Sequence, residues 1–228
     1  MLDGLVVEPE EGVQRTALLQ LSHGMSEYKE RYLPFMEFMA EHGVVCVIHD
    51  HRGHGKSVKS EQDLGFMYGA GGAGLVEDLF QVTVWAKKEY PDLPFILMGH
   101  SMGSYMLRKY LTIHNDDLRG AIIMGTGCVP DNTTKLGINV CKFLAKIFGW
   151  HHRSKLVESL SFGGPYKKYD LSGKTLSNSW LTKDEDIVKF YYSEPRCTFK
   201  FTLNGYLGLM EAVLYDNQLE NVKKVPNK

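Results

Sequence analysis

The sequence lacks the features that mark nucleic-acid-binding, secreted and membrane-spanning proteins. It has 26 basic and 27 acidic residues and a formal net charge of −1, so it offers no basic field to nucleic acid. No apolar run approaches the roughly 20 residues of a membrane span. Residues 1–12 are acidic and have no signal-peptide core. These absences predict a soluble, cytoplasmic protein that binds no nucleic acid.

Paired cysteines are also absent. The four cysteines are widely separated and form no C-x-x-C motif; they stand at positions 46, 128, 141 and 197. Such spacing indicates reduced thiols rather than a disulfide framework. Because 43% of the 228 residues are hydrophobic, the chain can bury the core of one large domain or of a domain with an insertion.

The most informative stretch is Gly-His-Ser-Met-Gly at residues 99–103, a G-x-S-x-G pattern. The apolar run Phe95–Met98 predicts a buried strand before it, and apolar residues at helical spacing over 104–114 predict a helix after it. A strand, a sharp turn and a helix together form the nucleophile elbow that exposes a catalytic serine. The pattern therefore predicts Ser101 as a nucleophile, with a plain turn as the alternative.

The neighbours of this serine have expected supporting roles. Gly99 and Gly103 are expected to permit the close backbone contacts of the turn, and His100 is expected to be structural. The amino end of the following helix is expected to point at the site, where it favours negative charge.

A second motif, His23-Gly24-Met25, follows an earlier predicted strand. In acyl transfer the carbonyl oxygen becomes an oxyanion, which two preorganised backbone N–H groups stabilise. We expect these N–H groups to belong to Met25 and Met102. Gly24 is expected to let the loop turn tightly, and His23 to brace it.

A histidine-rich stretch offers an alternative chemistry. His49, His51 and His54 are residue types that ligate zinc, and their H-x-H-x-x-H spacing approaches that of metallo-β-lactamases. The metallo-β-lactamase pattern has an aspartate immediately before the third histidine, whereas this chain has Gly53 at that position. A zinc hydrolase is therefore the third hypothesis. We expect a metal-free, glycine-rich loop at the end of a strand.

Strands and helices alternate over residues 1–127, which predicts an α/β fold: a mostly parallel sheet with helices on both faces. The alternation of predicted strands and helices ends after position 128, and residues 128–205 are predicted to form a helical insertion. Residues 206–228 are predicted to return to the core. The insertion carries an apolar stripe, interpreted either as core or as a lipid-facing wall, at Val140, Phe143, Leu144, Ile147 and Phe148.

Taken together, the motifs resemble the monoacylglycerol lipase and lysophospholipase branch of the α/β-hydrolases. The resemblance is carried by segments 21–32, 49–57 and 93–104 and by the insertion. It implies an α/β-hydrolase core with a helical cap over an apolar acyl tunnel. It also implies Ser101 as the nucleophile of a lipid-ester hydrolase that works through an acyl-enzyme, with no metal or organic cofactor.

The sequence departs from the family pattern after the cap, where the family places an aspartate and then a histidine. None of the nine histidines lies beyond position 152. We therefore expect that the triad Asp and His are not present in this chain and that the C-terminal strands are missing. An oligomer or a second chain is expected to cover the open sheet edge.

Two further hypotheses concern function and partners. The competing function is a truncated, non-catalytic hydrolase homologue that binds an acyl ligand or a partner. The small lipid ester is the expected substrate, and the cap is expected to make transient contact with a membrane or micelle.

Overall fold

A mixed β-sheet lies at the centre of the fold. The computed structural model describes residues 1–114, 118–162, 166 and 168–226. Among these residues five strands form one sheet in the order β1-β3-β2-β4-β5. The strands β2 to β5 are parallel, and β1 runs antiparallel to β3. The strands are β1 (Gly4–Val7), β2 (Ala17–Ser22), β3 (Val44–His49), β4 (Phe95–His100) and β5 (Leu118–Met124).

Helices cover the sheet and continue along the chain after β5. They are α1 (Leu33–Glu41), α2 (Gly71–Glu89), α3 (Met102–Ile113), α4 (Asp131–Phe148), α5 (Lys155–Phe162), α6 (Glu185–Ser193), α7 (Pro195–Thr198), α8 (Leu203–Asp216) and α9 (Leu219–Val222). Short 3₁₀ turns occupy Lys29–Tyr32, Glu61–Asp63, Tyr68–Ala70 and Leu176–Asn178. No helix in the described ranges combines the length and apolarity that crossing a membrane requires.

Alternate side chains along each strand point to opposite faces of the sheet and contribute to two separate apolar layers. Leu18, Val45 and Leu97 join one buried cluster with residues of α2, α3 and α8. Their strand neighbours point the opposite way and pack with Met36 of α1 in a second cluster. The predicted mostly parallel sheet with helices on both faces is confirmed.

The order of the strands in the sheet differs from their order in the sequence. β1 and β2 are consecutive in sequence, yet β1 pairs with β3, with Leu5 opposite Ile48. β2 instead lies between β3 and β4, with Leu21 opposite Ile48 on one side and Met98 on the other. Because β2, β3, β4 and β5 are parallel, their carboxyl ends meet at one edge of the sheet, which brings the candidate motifs together.

The helix α4 packs onto α8, and α8 packs onto α2 and α3. The predicted apolar stripe of α4 is divided by this packing. Val140 and Leu144 contact the buried cluster, whereas Phe143, Ile147 and Phe148 are 63%, 59% and 57% exposed. The core interpretation is therefore wrong for these three side chains, because α4 turns Ile138, Cys141 and Ala145 inward instead.

The outer edge of β5 is open in the part of the chain that the structure describes, where its only strand partner is β4. Ile122, Ile123 and Met124 are between 42% and 46% exposed. Successive strand residues point to opposite faces, so apolar surface is uncovered on both sides of this strand.

Candidate functional site

Ser101 lies at the turn between β4 and α3. Its backbone has φ 52° and ψ −117°, a left-handed region that costs energy for any residue except glycine. Hydrogen bonds hold the turn: the Ser101 N–H donates to the Met124 carbonyl at 3.0 Å, and the Ser104 N–H donates to the Ser101 carbonyl at 3.0 Å. The sequence folds into a strained elbow here because the flanking strand and helix fix both of its ends.

Two glycines make this elbow sterically possible. A Cβ atom on Gly99 would collide with the Gly103 carbonyl, and a Cβ atom on Gly103 would collide with the Ser22 carbonyl at the end of β2. The backbone of α3 therefore approaches β2 more closely than any side chain would allow.

The loop after β2 packs directly against the nucleophile candidate. A Cβ atom on Gly24 would lie 3.1 Å from the Ser101 Cβ. Met102 is the first residue of α3, where helical N–H groups have no intrahelical acceptor. Within the described residues, the N–H groups of Met25 and Met102 donate to no acceptor. An oxyanion beside Ser101 can accept from such groups.

A buried carboxylate that the sequence analysis missed connects this loop to the elbow. Glu27 Oε1 accepts from the Gly24 N–H and from the Tyr32 hydroxyl at 3.0 Å, and His100 Nδ1 lies 3.3 Å away. Glu27 Oε2 accepts from Arg31 at 2.5 Å. Because an ionised carboxylate can only accept, His100 Nδ1 carries the proton. In the sequence, only the spacing of Glu27 and Arg31 at i and i+4 could have indicated this ion pair.

These contacts keep Glu27 ionised. Burial raises the pKa of its carboxyl group, but the hydrogen bond from His100 and the interactions with His23 and the Arg31 guanidinium outweigh burial and lower the pKa to about 2. The carboxylate therefore carries a permanent negative charge next to the elbow, and Arg31 balances it.

Four buried histidines form a cluster below the site. His23 Nε2 accepts from the His51 N–H at 3.0 Å, and its Nδ1 lies 2.8 Å from the Gly24 carbonyl, to which it donates. The ring centroids of His23 and His51 are 4.3 Å apart. Burial lowers the pKa of His23 and His51, and it lowers the pKa of His49 and His54 to about 3. All four are neutral at pH 7, and His23 braces the Gly24 loop.

The zinc alternative on His49, His51 and His54 does not fit this arrangement. The nearby carboxylate of Asp50 is occupied by Lys29 at 2.8 Å, and His51 Nε2 lies 3.1 Å from the Ser22 hydroxyl. Across the described ranges, no group of three or more histidine, cysteine, aspartate or glutamate side chains is placed to hold a metal ion.

Among the described residues, no histidine makes a hydrogen bond to Ser101. In the portion of the chain that the structure describes, its hydroxyl makes no hydrogen bond. His114 stacks on Phe80 at 3.8 Å between centroids, and His151 stacks on Phe66 at 3.7 Å. His152 stacks on Phe148 at 4.8 Å. These contacts hold the three rings against neighbours other than Ser101.

Comparison with known proteins places the chain in a family. A family model described as Serine aminopeptidase, S33, matches residues 14–226. The monoglyceride lipase of Homo sapiens is 33% identical over 181 residues, which are 78% of this chain and 52% of that protein. A monoglyceride lipase homolog of Monkeypox virus is 32% identical over 132 residues, 58% of this chain and 46% of that protein.

Solved structures share the fold. A thermostable carboxyl esterase from Bacillus coagulans, solved in complex with glycerol, has a TM-score of 0.86 and 27% identity; the match covers 99% of this chain and 72% of that one. The chain spans about half the length of the curated relatives it matches. The predicted α/β-hydrolase fold and the predicted family resemblance are both confirmed. The chain belongs to the α/β-hydrolase family described as Serine aminopeptidase, S33, and is similar to monoglyceride lipases.

Proposed function

We propose that Ser101 is the nucleophile of a serine hydrolase that cleaves carboxylic esters of the monoacylglycerol or lysophospholipid type. The observation that carries this proposal is the backbone of Ser101, with φ 52° and ψ −117° at a strand-to-helix turn. A serine persists in such a conformation only where the surrounding structure over-determines it, and such strain clusters at functional sites. Relatives named as monoglyceride lipases support the substrate class.

In the proposed reaction, the Ser101 oxygen forms a bond to the ester carbonyl carbon while its proton moves to a general base. The Met25 and Met102 N–H groups stabilise the negative charge on the carbonyl oxygen. The bond to the alcohol then breaks, and the alcohol leaves with the proton. Water attacks the acyl-enzyme, which releases the fatty acid and restores the hydroxyl. These steps need no metal or organic cofactor.

We propose that the general base and its partner acid come from outside this chain. Support comes from the Ser101 hydroxyl, which has no hydrogen-bond partner among the described residues. A serine hydroxyl is a poor nucleophile at neutral pH without a neighbouring base. The same observation favours the second candidate function, a non-catalytic homologue that binds an acyl ligand or a partner.

Residues 128–205 are proposed to act as a cap between the core at 1–127 and the return segment at 206–228. Supporting contacts join this segment to the Gly24 loop: the Ser26 hydroxyl donates to the Phe199 carbonyl at 3.0 Å. The exposed apolar side chains of α4 are interleaved with exposed lysines, which suits transient contact with a membrane or micelle surface. These are Phe143, Ile147 and Phe148 with Lys142 and Lys146.

A fluorophosphonate probe tests the nucleophile, because it bonds covalently to reactive serines. We expect labelling of the intact protein, loss of labelling in Ser101→Ala, and unchanged labelling in the control Ser193→Ala, which removes an exposed hydroxyl. Labelling that persists in Ser101→Ala would refute the assignment of Ser101 as the nucleophile. Absence of labelling in a protein that also includes the general base would favour the non-catalytic function.

Turnover of a short-chain ester tests the origin of the base. The chain alone should show only the residual level of a triad knockout, roughly 10³–10⁴-fold over water at most. Robust turnover that disappears on replacing one of the chain's own histidines would show that the base lies within it.

A further inference from the structure

We propose that Glu27 is a positioning residue that sets the geometry of both halves of the oxyanion hole. The inference rests on the proposed function of Ser101 and deepens it. Glu27 does not touch the reacting atoms in this proposal. Its carboxylate acts through the Gly24 backbone on one side and through the His100 ring on the other.

The first half of the argument is the backbone of the loop. The Gly24 N–H donates to Glu27 Oε1, so this N–H is unavailable to a substrate. The next N–H along the chain, that of Met25, has no acceptor among the described residues. By fixing Gly24, the carboxylate fixes the peptide plane from which the Met25 N–H projects. Gly24 contacts Ser101 so closely that a displaced loop would also disturb the nucleophile.

The second half is the contact with the elbow. His100 Nδ1 lies 3.3 Å from the same Oε1 atom and 3.1 Å from the Tyr32 hydroxyl. His100 immediately precedes Ser101, and Met102 immediately follows it. One oxygen atom therefore holds the loop that carries Met25 and the turn that carries Met102. This shared contact is the juxtaposition on which the proposal depends.

The charge of the carboxylate needs a counterion, because an uncompensated negative charge would oppose an oxyanion forming nearby. Arg31 supplies it through a 2.5 Å ion pair with Glu27 Oε2, and the Glu27 side chain is only 6% exposed. The Arg31 guanidinium also lies 5.2 Å from the centroid of the Tyr191 ring. The counterion is thus held from the side of the insertion as well.

The other side of the loop is anchored independently of Glu27. Ser26 has a φ of 52°, its hydroxyl donates to the Phe199 carbonyl at 3.0 Å, and its own carbonyl accepts from the Tyr191 hydroxyl at 3.4 Å. Removing the Glu27 charge should therefore loosen the Gly24 and Met25 peptides without releasing the whole loop.

The test compares Glu27→Gln and Glu27→Ala with the control Glu30→Gln. Glu30 lies in the same segment and pairs with Lys29 and Lys56, but no contact joins it to Gly24 or His100. The rate of covalent reaction of Ser101 with the fluorophosphonate is measured separately from the affinity for the probe. Gly24 amide hydrogen exchange is followed by NMR in the same variants.

Loss of one oxyanion donor typically costs a factor of 10²–10³. We expect the covalent rate to fall about 10-fold in Glu27→Gln, which keeps an acceptor oxygen, and about 100-fold in Glu27→Ala. Affinity for the probe should be unchanged, and the Gly24 amide should exchange faster. Glu30→Gln should match the unmodified protein in all three measurements.

Arg31→Met is the second variant, in case the Glu27 variants do not fold. It leaves the Gly24 hydrogen bond in place but removes the counterion, so it should slow the covalent rate without faster Gly24 exchange. Normal labelling with unchanged Gly24 exchange in the Glu27 variants would overturn the positioning role while leaving Ser101 as nucleophile. Normal labelling in Arg31→Met would overturn the part of the proposal that requires Arg31 as the counterion. Failure to label in the presence of the general base would instead refute the proposed function, and Gly24 exchange would still test the role of Glu27.

Discussion

The carboxylate of Asp216, at the end of α8, should destabilise the protein at neutral and alkaline pH. The residue is 4% exposed, and both carboxylate oxygens are buried without a hydrogen-bond partner among the described residues. Arg108 Nε lies 3.7 Å from Oδ2, too far for a hydrogen bond, and its NH2 group donates to the Asp216 backbone carbonyl instead. Burial raises the pKa of Asp216 from 3.8 to about 7, while Arg108 opposes this shift.

The sign and size of the effect follow from this pKa. The unfolded chain releases the Asp216 proton near pH 4, but the folded protein retains it until about pH 7. Stability from this group is therefore complete below pH 4 and is lost as the pH rises to 7. Relative to its value below pH 4, the free energy of unfolding is lower by about 2 kcal/mol at pH 5.5, where only the unfolded chain has released the proton, and by about 4 kcal/mol at pH 8, on the order of 1.4 kcal/mol per pKa unit.

Replacement of Asp216 by asparagine removes this dependence, because an amide does not titrate. The difference in unfolding free energy between Asp216→Asn and the unmodified protein should grow in favour of the variant by about 2 kcal/mol between pH 5.5 and pH 8. Urea unfolding at the two pH values measures it. The unsatisfied amide lowers stability equally at both pH values, so it cancels in this comparison.

Asp131→Asn is the matched control. Asp131 accepts from Asn217 and Gln218, the two residues after Asp216, and these hydrogen bonds lower its pKa. Its carboxyl group is therefore ionised at both pH values, and its replacement should add no pH dependence over this range. An equal stability difference for Asp216→Asn at pH 5.5 and pH 8 would refute the assignment of a buried, unpartnered carboxylate.

Two further predictions concern the histidine cluster and the open sheet edge. Because burial lowers the pKa of His54 to about 3, its contribution to stability is present above pH 6.5 and falls as the pH drops toward 3. His54→Phe, which can keep the ring contacts with Phe199 and Phe201, should flatten the pH dependence of the melting temperature between pH 6.5 and pH 4.5; an unchanged slope would contradict this. At the open edge, Ile123→Lys should reduce self-association measured by light scattering, because a charge on an edge strand opposes strand pairing. The control Ile113→Lys, at the exposed end of α3, should change it less, and equal effects would point to general hydrophobic association.

The parts of the structure that sequence could predict are those set by local periodicity. The elbow was predictable because an apolar run, two glycines and a helical repeat are contiguous around Ser101. Glu27 was not, because its partner His100 is distant in sequence and the contact depends on the order of strands. The pairing of β1 with β3 was likewise not encoded in any local pattern.

The stripe on α4 shows a different limit. Its apolar positions recur at the spacing of one helical face, but the buried residues Ile138, Cys141 and Ala145 lie on a face rotated from it, so helical spacing alone could not say which side chains are buried. The packing partner decided this: a Cβ atom on Gly137 would collide with the end of the Met210 side chain, so α8 lies close to this part of α4. That contact orients the helix and leaves Phe143 in solvent. The burial of Asp216 was not predictable for the same reason, since it depends on a helix that is distant in sequence.

The position of β2 inside the sheet has a consequence for folding during synthesis. Leu18 pairs with Val45 on one side and with Phe95 on the other, so β2 lacks one neighbour until β4 has left the ribosome. Chains emerge at about 5–20 residues per second, so the interval is on the order of seconds. During it, the apolar flank of β2 and the Gly24 loop at its end are exposed. The nascent chain should therefore be prone to aggregation during this interval, before β4 can pair with β2.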